Sequence, residues 1–398
     1  VTSREKIEAS AKFWAGGMNK RQFFIFGYYG WKNVGDDALL YALLEELQTA
    51  DPEAKFAILS PIPVTIPPQV ENRTTLVKLS PLAVAGAILK SSAFVIGGGT
   101  HITDYGNKRR ALKILSRIFA LALYSKLLGK KVYLINNGVG PFSTSWGRLL
   151  SRMIFSLVDF ISVRDKASYG ILKSFGFTHK ATLAFDLSAL LEPLDKKGNS
   201  LIQDERGEKQ ILGISITPVF EIFFNDKKRD SLLIDEIAGG INEQLEKNHR
   251  LRVYLFIFKG RSRHDDVLIT QSLQERLHPS DRVQLVAYNP NPVEMLTQVA
   301  RCDAFVGMRY HACLFAYLGS APLLAMDYHP KCGALADEIG LSPQAVLPLD
   351  DVLNGRFQER LGNLLCCPDN FRATMPVNMA RQRARSGVKI RSGAGDGD

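Results

Sequence analysis

The stretch Ala304-Phe305-Val306-Gly307-Met308-Arg309-Tyr310-His311 runs on through Leu318 to Pro322-Leu323-Leu324-Ala325-Met326-Asp327-Tyr328-His329-Pro330-Lys331. Two short apolar runs, Ala304–Val306 and Pro322–Ala325, flank an apolar segment of helical length over His311–Leu318. Runs this short and this uniformly apolar suit strands covered on both faces. Strand, helix and strand in that order place the two runs side by side in a parallel sheet. In such a sheet ligands bind beyond the carboxyl ends of the strands, and that is where Arg309, His311 and Lys331 fall. Two permanent cations and a titratable imidazole suit an anionic substrate and proton transfer. Each residue alone also has a plainer reading: Arg309 and Lys331 pair with surface carboxylates, and His311 caps a helix.

The same alternation extends outward along the chain. Phe23–Phe26 reads as a first strand, and the loop Gly27–Asp37 opens onto a helix over Ala38–Leu47 that Asp36 or a neighbour can cap. Asn33, Gly35 and Asp36 lie in this loop, and a glycine loop before a helix N-terminus can receive an anion. Its spacing matches neither a dinucleotide-binding loop nor a P-loop. Lys55–Leu59 and Ala93–Ile96 are further strands, the latter ending in Gly97-Gly98-Gly99-Thr100-His101 with Asp104 behind it. Lys131–Ile135 ends in the loop Asn136-Asn137-Gly138-Val139-Gly140, and Phe160–Val163 ends in Arg164-Asp165. From Glu192 to Lys209 the composition turns polar, as in an exposed linker, after which Ile211–Thr217 restarts the strand and helix pattern.

These runs predict an α/β protein of two domains, each a doubly wound parallel sheet, residues 20–191 and 210–375, with a polar linker at 192–209. Apolar periodicity fades after Pro376, so 376–398 reads as a disordered basic tail.

Of 398 residues 46% are hydrophobic and 23% charged, which excludes general disorder. A formal net charge of +10 favours anionic partners. The basic clusters Lys259–Arg263 and Arg381–Arg391 lack interleaved aromatics, so nucleic acid is not expected. The five cysteines form no CxxC pair and suit a reducing, cytoplasmic setting with neither a disulfide frame nor a zinc site. His101 with Asp104 reads as a hydrogen-bonded loop pair, and no metal is expected. Val1–Lys20 shows no secretory signal. Lys113, Arg117 and Lys126 interrupt the most apolar segment, Ala111–Leu128, which argues against a membrane span but allows peripheral contact with an anionic inner membrane face.

Five ordered segments, GYYGWKNVGDDALL from Gly27, GGGTHITD from Gly97, NNGVGP from Asn136, ISVRDKAS from Ile161 and GMRYHACLFAYLGSAPLLAMDYHPK from Gly307, resemble the polysaccharide pyruvyl transferase family. The resemblance runs from about Phe23 to about Leu341. It implies a fold similar to the GT-B glycosyltransferases, with two Rossmann-like halves facing one cleft. It also implies transfer of the pyruvyl group of phosphoenolpyruvate to two hydroxyls of a saccharide, polymeric or lipid-linked, as a cyclic ketal, with no cofactor beyond the donor. On the resemblance, Arg164, His311, Lys331 and Asp36 fall on functional positions; Asp36 is open to a catalytic or a loop-orienting role. Asn33, Gly35, Gly97, Gly98, Gly99, Gly138, Gly140, Asp165 and Arg309 are the candidate substrate-binding residues, and Arg164 is expected to face His311 and Lys331. The chemistry suits these residue types, because His311 can carry protons while Arg164, Arg309 and Lys331 neutralise phosphate and carboxylate.

Three positions depart from the family pattern. Thr217-Pro218 stands where an arginine is common, for which Arg261 or Arg263 is a substitute; Tyr310 replaces a leucine and His329 an aspartate. A nucleotide-sugar glycosyltransferase and a non-catalytic saccharide-binding module are the competing readings, since a fold does not dictate a function. The sequence leaves the acceptor sugar and the oligomeric state open.

Overall fold

The computed structural model describes residues 21–194, 208–260 and 263–388. Two compact units emerge: one holds residues 21–31, 36–190 and 380–388, the other residues 32–35 and 191–379. The linker expected at 192–209 lies for the most part outside the described residues.

The first unit is built on a fully parallel sheet. Its strands are β1 (Gln22–Phe26), β2 (Lys55–Leu59), β3 (Thr74–Val77), β4 (Ala93–Ile96), β5 (Gly99–Ile102), β6 (Lys131–Val139), β7 (Phe160–Val163) and β8 (Ala181–Leu183). They lie in the order β3-β2-β1-β4-β6-β7-β8, with β5 added against β6. The helices are α1 (Val34–Ala50), α2 (Pro81–Lys90), α3 (Lys108–Leu127), α4 (Ser145–Leu157) and α5 (Lys166–Phe175). Phe24 pairs in register with Ala57 on one side and Phe94 on the other, in a core of apolar strand residues. Such runs need helices on both faces.

Strand order reverses between β1 and β4, the switch point at which a doubly wound sheet opens a crevice. The second unit repeats the plan with β9 (Gln210–Ser215), β10 (Leu251–Phe256), β11 (Val283–Val286), β12 (Ala304–Gly307), β13 (Leu323–Asp327) and β14 (Val346–Pro348), ordered β11-β10-β9-β12-β13-β14 and all parallel. Its helices are α6 (Val219–Phe224), α7 (Lys227–Lys247), α8 (Leu268–Gln274), α9 (Pro292–Val299), α10 (Tyr310–Leu318), α11 (Pro330–Ile339) and α12 (Phe357–Cys366). The switch point here lies between β9 and β12. Gly307 has no side chain to collide with Cys313, whose Sγ would lie 2.7 Å from a Cβ there, so α10 packs tightly against the strand it follows.

Several local expectations are corrected. Helix α1 begins at Val34, placing Asp36 and Asp37 in its first turn rather than at its cap. Residues 32–35 are tied to the second unit, where Val34 N–H donates to Phe258 O at 3.0 Å and Gly260 N–H to Lys32 O at 3.0 Å. The loop expected at Asn136–Val139 is part of β6: register slips between Leu134 and Asn137, and Asn136 adopts a φ of 49°, as in a bulge. Its side chain fixes the irregularity by donating to Phe185 O at 2.7 Å and Ala384 O at 2.8 Å.

The expected disordered tail is also corrected. Residues Val377–Val388 form helix α13, with Ala380, Ala384, Gly387 and Val388 buried. Ser162 Oγ donates to Gly387 O at 2.8 Å, and a Cβ on Gly387 would overlap Asn136. Residues 389–398 lie outside the described residues.

Candidate functional site

In the second unit the decisive group is Arg309, two residues past the end of β12. It occupies the N-cap position of α10 without capping it. Its guanidinium turns instead to the fully buried Asp266, with Nε at 2.6 Å and Nη2 at 2.5 Å from the two carboxylate oxygens. Nη2 also donates to Thr217 Oγ1 at 2.9 Å, so the contact spans the switch point from β12 to the chain leaving β9. Asp266 further accepts Lys259 N–H at 2.9 Å. A paired, charge-assisted arrangement of this kind fixes a planar guanidinium. Burial alone would lower the Arg309 pKa, but the adjacent Asp266 outweighs it and drives the value upward, so the cation is permanent. With Nε and Nη2 engaged, Nη1 is the edge that can meet an anion. Arg309 thus pairs with a carboxylate, as the plainer reading held, but the carboxylate is buried rather than at the surface.

His311 sits in the first turn of α10, half-buried, with its ring edge-on to Tyr310 at 5.1 Å. Gly35 lies directly against it: a Cβ there would overlap Nδ1 and Cγ of the imidazole. Gly35 is therefore required by close approach to a protein side chain. Asn33, half-buried beside it in sequence, forms an antiparallel bridge with Lys259.

Lys331 is half-buried in the first turn of α11 and donates its backbone N–H to His329 Nδ1 at 3.2 Å. His329 thereby caps α11. Asp327 accepts His329 N–H at 3.3 Å, and burial pushes its carboxyl above the ordinary range. Burial also raises the Tyr328 phenol.

In the first unit Arg164 follows β7. Nη1 lies 2.9 Å from Asp186 Oδ2, Nη2 donates to Thr100 Oγ1 at 2.9 Å, and Asp165 stands 3.6 Å from Nε. Gly138 leaves room for this guanidinium, since a Cβ there would be 3.1 Å from Nε and Nη2. Asp165 serves α5 as its N-cap, accepting Ser168 N–H at 2.7 Å. The remaining glycines are accounted for by packing. A Cβ on Gly97 would overlap the Tyr29 hydroxyl, one on Gly98 would stand 2.9 Å from Leu39 Cδ2, and one on Gly140 would overlap Ile171. Gly99 and Gly140 adopt φ of 117° and 75°, conformations open chiefly to glycine.

Tyr29 is fully buried, and burial together with Asp36 and Asp37 drives its phenol pKa upward. Asp37 accepts Gly30 N–H at 3.3 Å, while Asp36 is half-buried in the same turn of α1. His101 and Asp104 do not form the expected pair. His101 holds Gly98 O at 3.0 Å, and burial pushes its pKa down to about 4. Asp104 collects Ser143 N–H at 2.5 Å and Thr144 N–H at 2.8 Å; burial would raise its pKa, but these bonds, with those from both hydroxyls, carry it below the ordinary value.

The structure thus brings Gly35 against His311 and groups Arg309 with Asp266 and Thr217; it groups Arg164 with Gly138, Asp165 and the unforeseen Asp186 and Thr100. Gly97, Gly98 and Gly140 answer to other neighbours. Arg261 and the side chain of Arg263 lie outside the described residues. Among the described residues there is no cluster of three metal-ligating side chains, and no helix is long and apolar enough to cross a membrane.

Comparisons with known proteins give this geometry a context. Amylovoran biosynthesis protein AmsJ of Erwinia amylovora is 24% identical over 283 residues, spanning 69% of this chain and 65% of that protein, just under two thirds of the relative's length. A structure of MnaA from S. aureus with UDP superposes with a TM-score of 0.59 at 12% identity, covering 92% of each chain. HepE of Anabaena in complex with UDP-glucose gives 0.53 at 11% identity, over 93% of this chain and 94% of that one. At such identities the likeness establishes the fold alone, an α/β architecture with two parallel sheets. The family model for polysaccharide pyruvyl transferase matches residues 33–330, most of the chain and every residue of the Arg309–His311 assembly. This chain belongs to the polysaccharide pyruvyl transferase family.

Proposed function

We propose that the protein transfers the pyruvyl group of phosphoenolpyruvate to two hydroxyls of a saccharide, forming a cyclic ketal and releasing phosphate. The observation that carries this reading is the second unit's strand edge. There a permanent cation held by a buried carboxylate stands two residues from an imidazole seated on Gly35. In the first step a sugar hydroxyl oxygen bonds to C2 of the donor, its proton passes to a base, and the methylene carbon takes a proton to become methyl. In the second, another hydroxyl oxygen bonds to C2 as the bond from C2 to the phosphate oxygen breaks, and the second hydroxyl proton leaves with phosphate. His311 is the group suited to carry protons in both steps. Arg309 and Lys331 neutralise the donor's phosphate and carboxylate, and cations fixed beforehand stabilise the charge that departing phosphate gathers.

Arg164 has 3% of its side chain exposed, which favours a positioning role with Thr100 and Asp186. Asp36, in the first turn of α1, orients the loop before it. The donor already carries the activated carbon, so the reaction invokes no cofactor. A lipid-linked or polymeric saccharide is the acceptor, and the inner face of the membrane is the proposed setting.

The test is phosphate release by the purified chain given phosphoenolpyruvate and a panel of lipid-linked saccharides, with UDP-sugars as competing donors because related folds hold UDP and UDP-glucose. Release that requires both phosphoenolpyruvate and one class of acceptor is expected. Consumption of a UDP-sugar with phosphoenolpyruvate untouched overturns the reading, and saccharide binding with no turnover of any donor identifies a binding module.

A further inference from the structure

The first unit carries a surface that its strand-edge chemistry does not use. Helix α2 turns Leu82 and Leu89 outward, 88% and 57% exposed, and α3 turns out Leu127, 77% exposed. A Cβ on Gly86, on the same face of α2, would enter open space. Between the two helices lies a 340 Å³ groove lined by Leu79, Val84, Leu121, Tyr124 and Arg117. Isolated exposed leucines are ordinary, but several around one apolar groove mark an interaction surface.

Charge says what the surface meets. Between residues 74 and 127 the only acid is Asp104, which is fully buried. Lys78, Lys90, Lys108, Arg109, Lys113 and Arg117 are all exposed in the same span. A second copy of this chain would bring like charges together, which opposes self-association. A nucleic acid would use the cations but would leave the protruding leucines without a partner. An anionic lipid bilayer satisfies both features, since its headgroups attract the cations while its acyl boundary takes the leucines.

We propose that the α2–α3 face is a docking surface for an anionic bilayer, with Leu82, Leu89 and Leu127 entering the headgroup boundary and the surrounding lysines and arginines meeting lipid phosphates. Tyr124 at the groove suits the same boundary, where amphipathic rings concentrate. The inference is independent of the donor and the reaction, because none of these residues belongs to either strand edge.

The test is co-sedimentation of the full chain with vesicles of phosphatidylcholine alone and of phosphatidylcholine mixed with phosphatidylglycerol. Binding to the mixed vesicles is expected, weakened by high salt. A Lys113→Gln/Arg117→Gln variant should partition roughly 25-fold less, at about fivefold for each cation removed near an anionic leaflet. Leu82→Ser should partition about tenfold less. All these side chains are exposed, so thermal melting should match the parent protein and separate lost docking from lost folding. Equal binding to neutral vesicles, no binding to either, or variants that sediment like the parent would each overturn the proposal. So would dimerisation or nucleic-acid binding that these same substitutions abolish while vesicle binding persists.

Discussion

Arg164 in the first unit and Arg309 in the second each follow a parallel strand, and each lies against a fully buried aspartate, Asp186 and Asp266. The surroundings differ. Arg164 is 3% exposed and bonded to Thr100 as well, while the glycines near its sheet edge are filled by Tyr29, Leu39 and Ile171. Arg309 keeps 16% of its side chain exposed and stands two residues from a half-buried imidazole. One topology thus supports two uses of the same edge. The first unit spends its polar groups largely on its own architecture, and the second keeps its paired arginine and the neighbouring imidazole only partly buried.

The strongest way to sharpen this contrast is His311→Ala. It should lower turnover about a thousandfold, the usual scale of a positioned acid or base, while leaving the urea midpoint near its parent value. Retention of full turnover would remove the chemical role assigned to the second edge. Next come the two aspartates. Removing one partner of a buried ion pair costs about 3–5 kcal/mol, and Asp186→Ala should reach the upper part of that range because Arg164 is the more enclosed. Asp266→Ala should fall lower, with a larger loss of kcat/KM. Urea unfolding of both variants decides it, and the reverse order breaks the comparison.

A smaller effect concerns pH. His101 falls to about 4 in the folded chain from an ordinary 6.5, chiefly through burial, so between those values the unfolded chain binds the proton and the folded chain does not. Stability should therefore decline as pH drops from about 6.5 toward 4, by on the order of 3 kcal/mol at 1.36 kcal/mol per pH unit. His101→Gln should flatten that part of the stability profile, and an unchanged slope would remove His101 as its source. Smallest is Gly35→Ala, which displaces the imidazole of His311. Turnover should fall about thirtyfold, since small misplacements of a catalytic group are costly. Little change in melting temperature is expected, and unchanged kinetics would mean that Gly35 does not seat His311.

Much of this arrangement was legible in the sequence, for identifiable reasons. Short apolar runs ending in glycine or in charge marked β1, β4, β7, β12 and β13, because strands covered on both faces leave no polar alternation to blur them. His311, Arg309 and Lys331 stand out as candidates because they follow directly after such runs. Asp186 and Asp266 were not, since they lie 22 and 43 residues from the arginines they hold and carry no local signal. Helix α13 was missed because its buried face is made of Ala380, Ala384, Gly387 and Val388. Residues this small produce almost no hydrophobic periodicity, yet they permit the close approach to Asn136. Gly97 and Gly98 show an ambiguity of the opposite kind. Their missing side chains are answered by Tyr29 and Leu39, a packing role that a run of glycines does not distinguish from a ligand cradle.

The most direct test of the central claim follows the donor carbon itself. Phosphoenolpyruvate labelled at C2 is incubated with the purified chain and a lipid-linked saccharide, and the product is read by carbon NMR. The account predicts that the label appears in a ketal carbon bonded to two sugar oxygens, in step with phosphate release, and that His311→Ala abolishes both signals. Label that stays in phosphoenolpyruvate or appears only as free pyruvate while a UDP-sugar is consumed would contradict it.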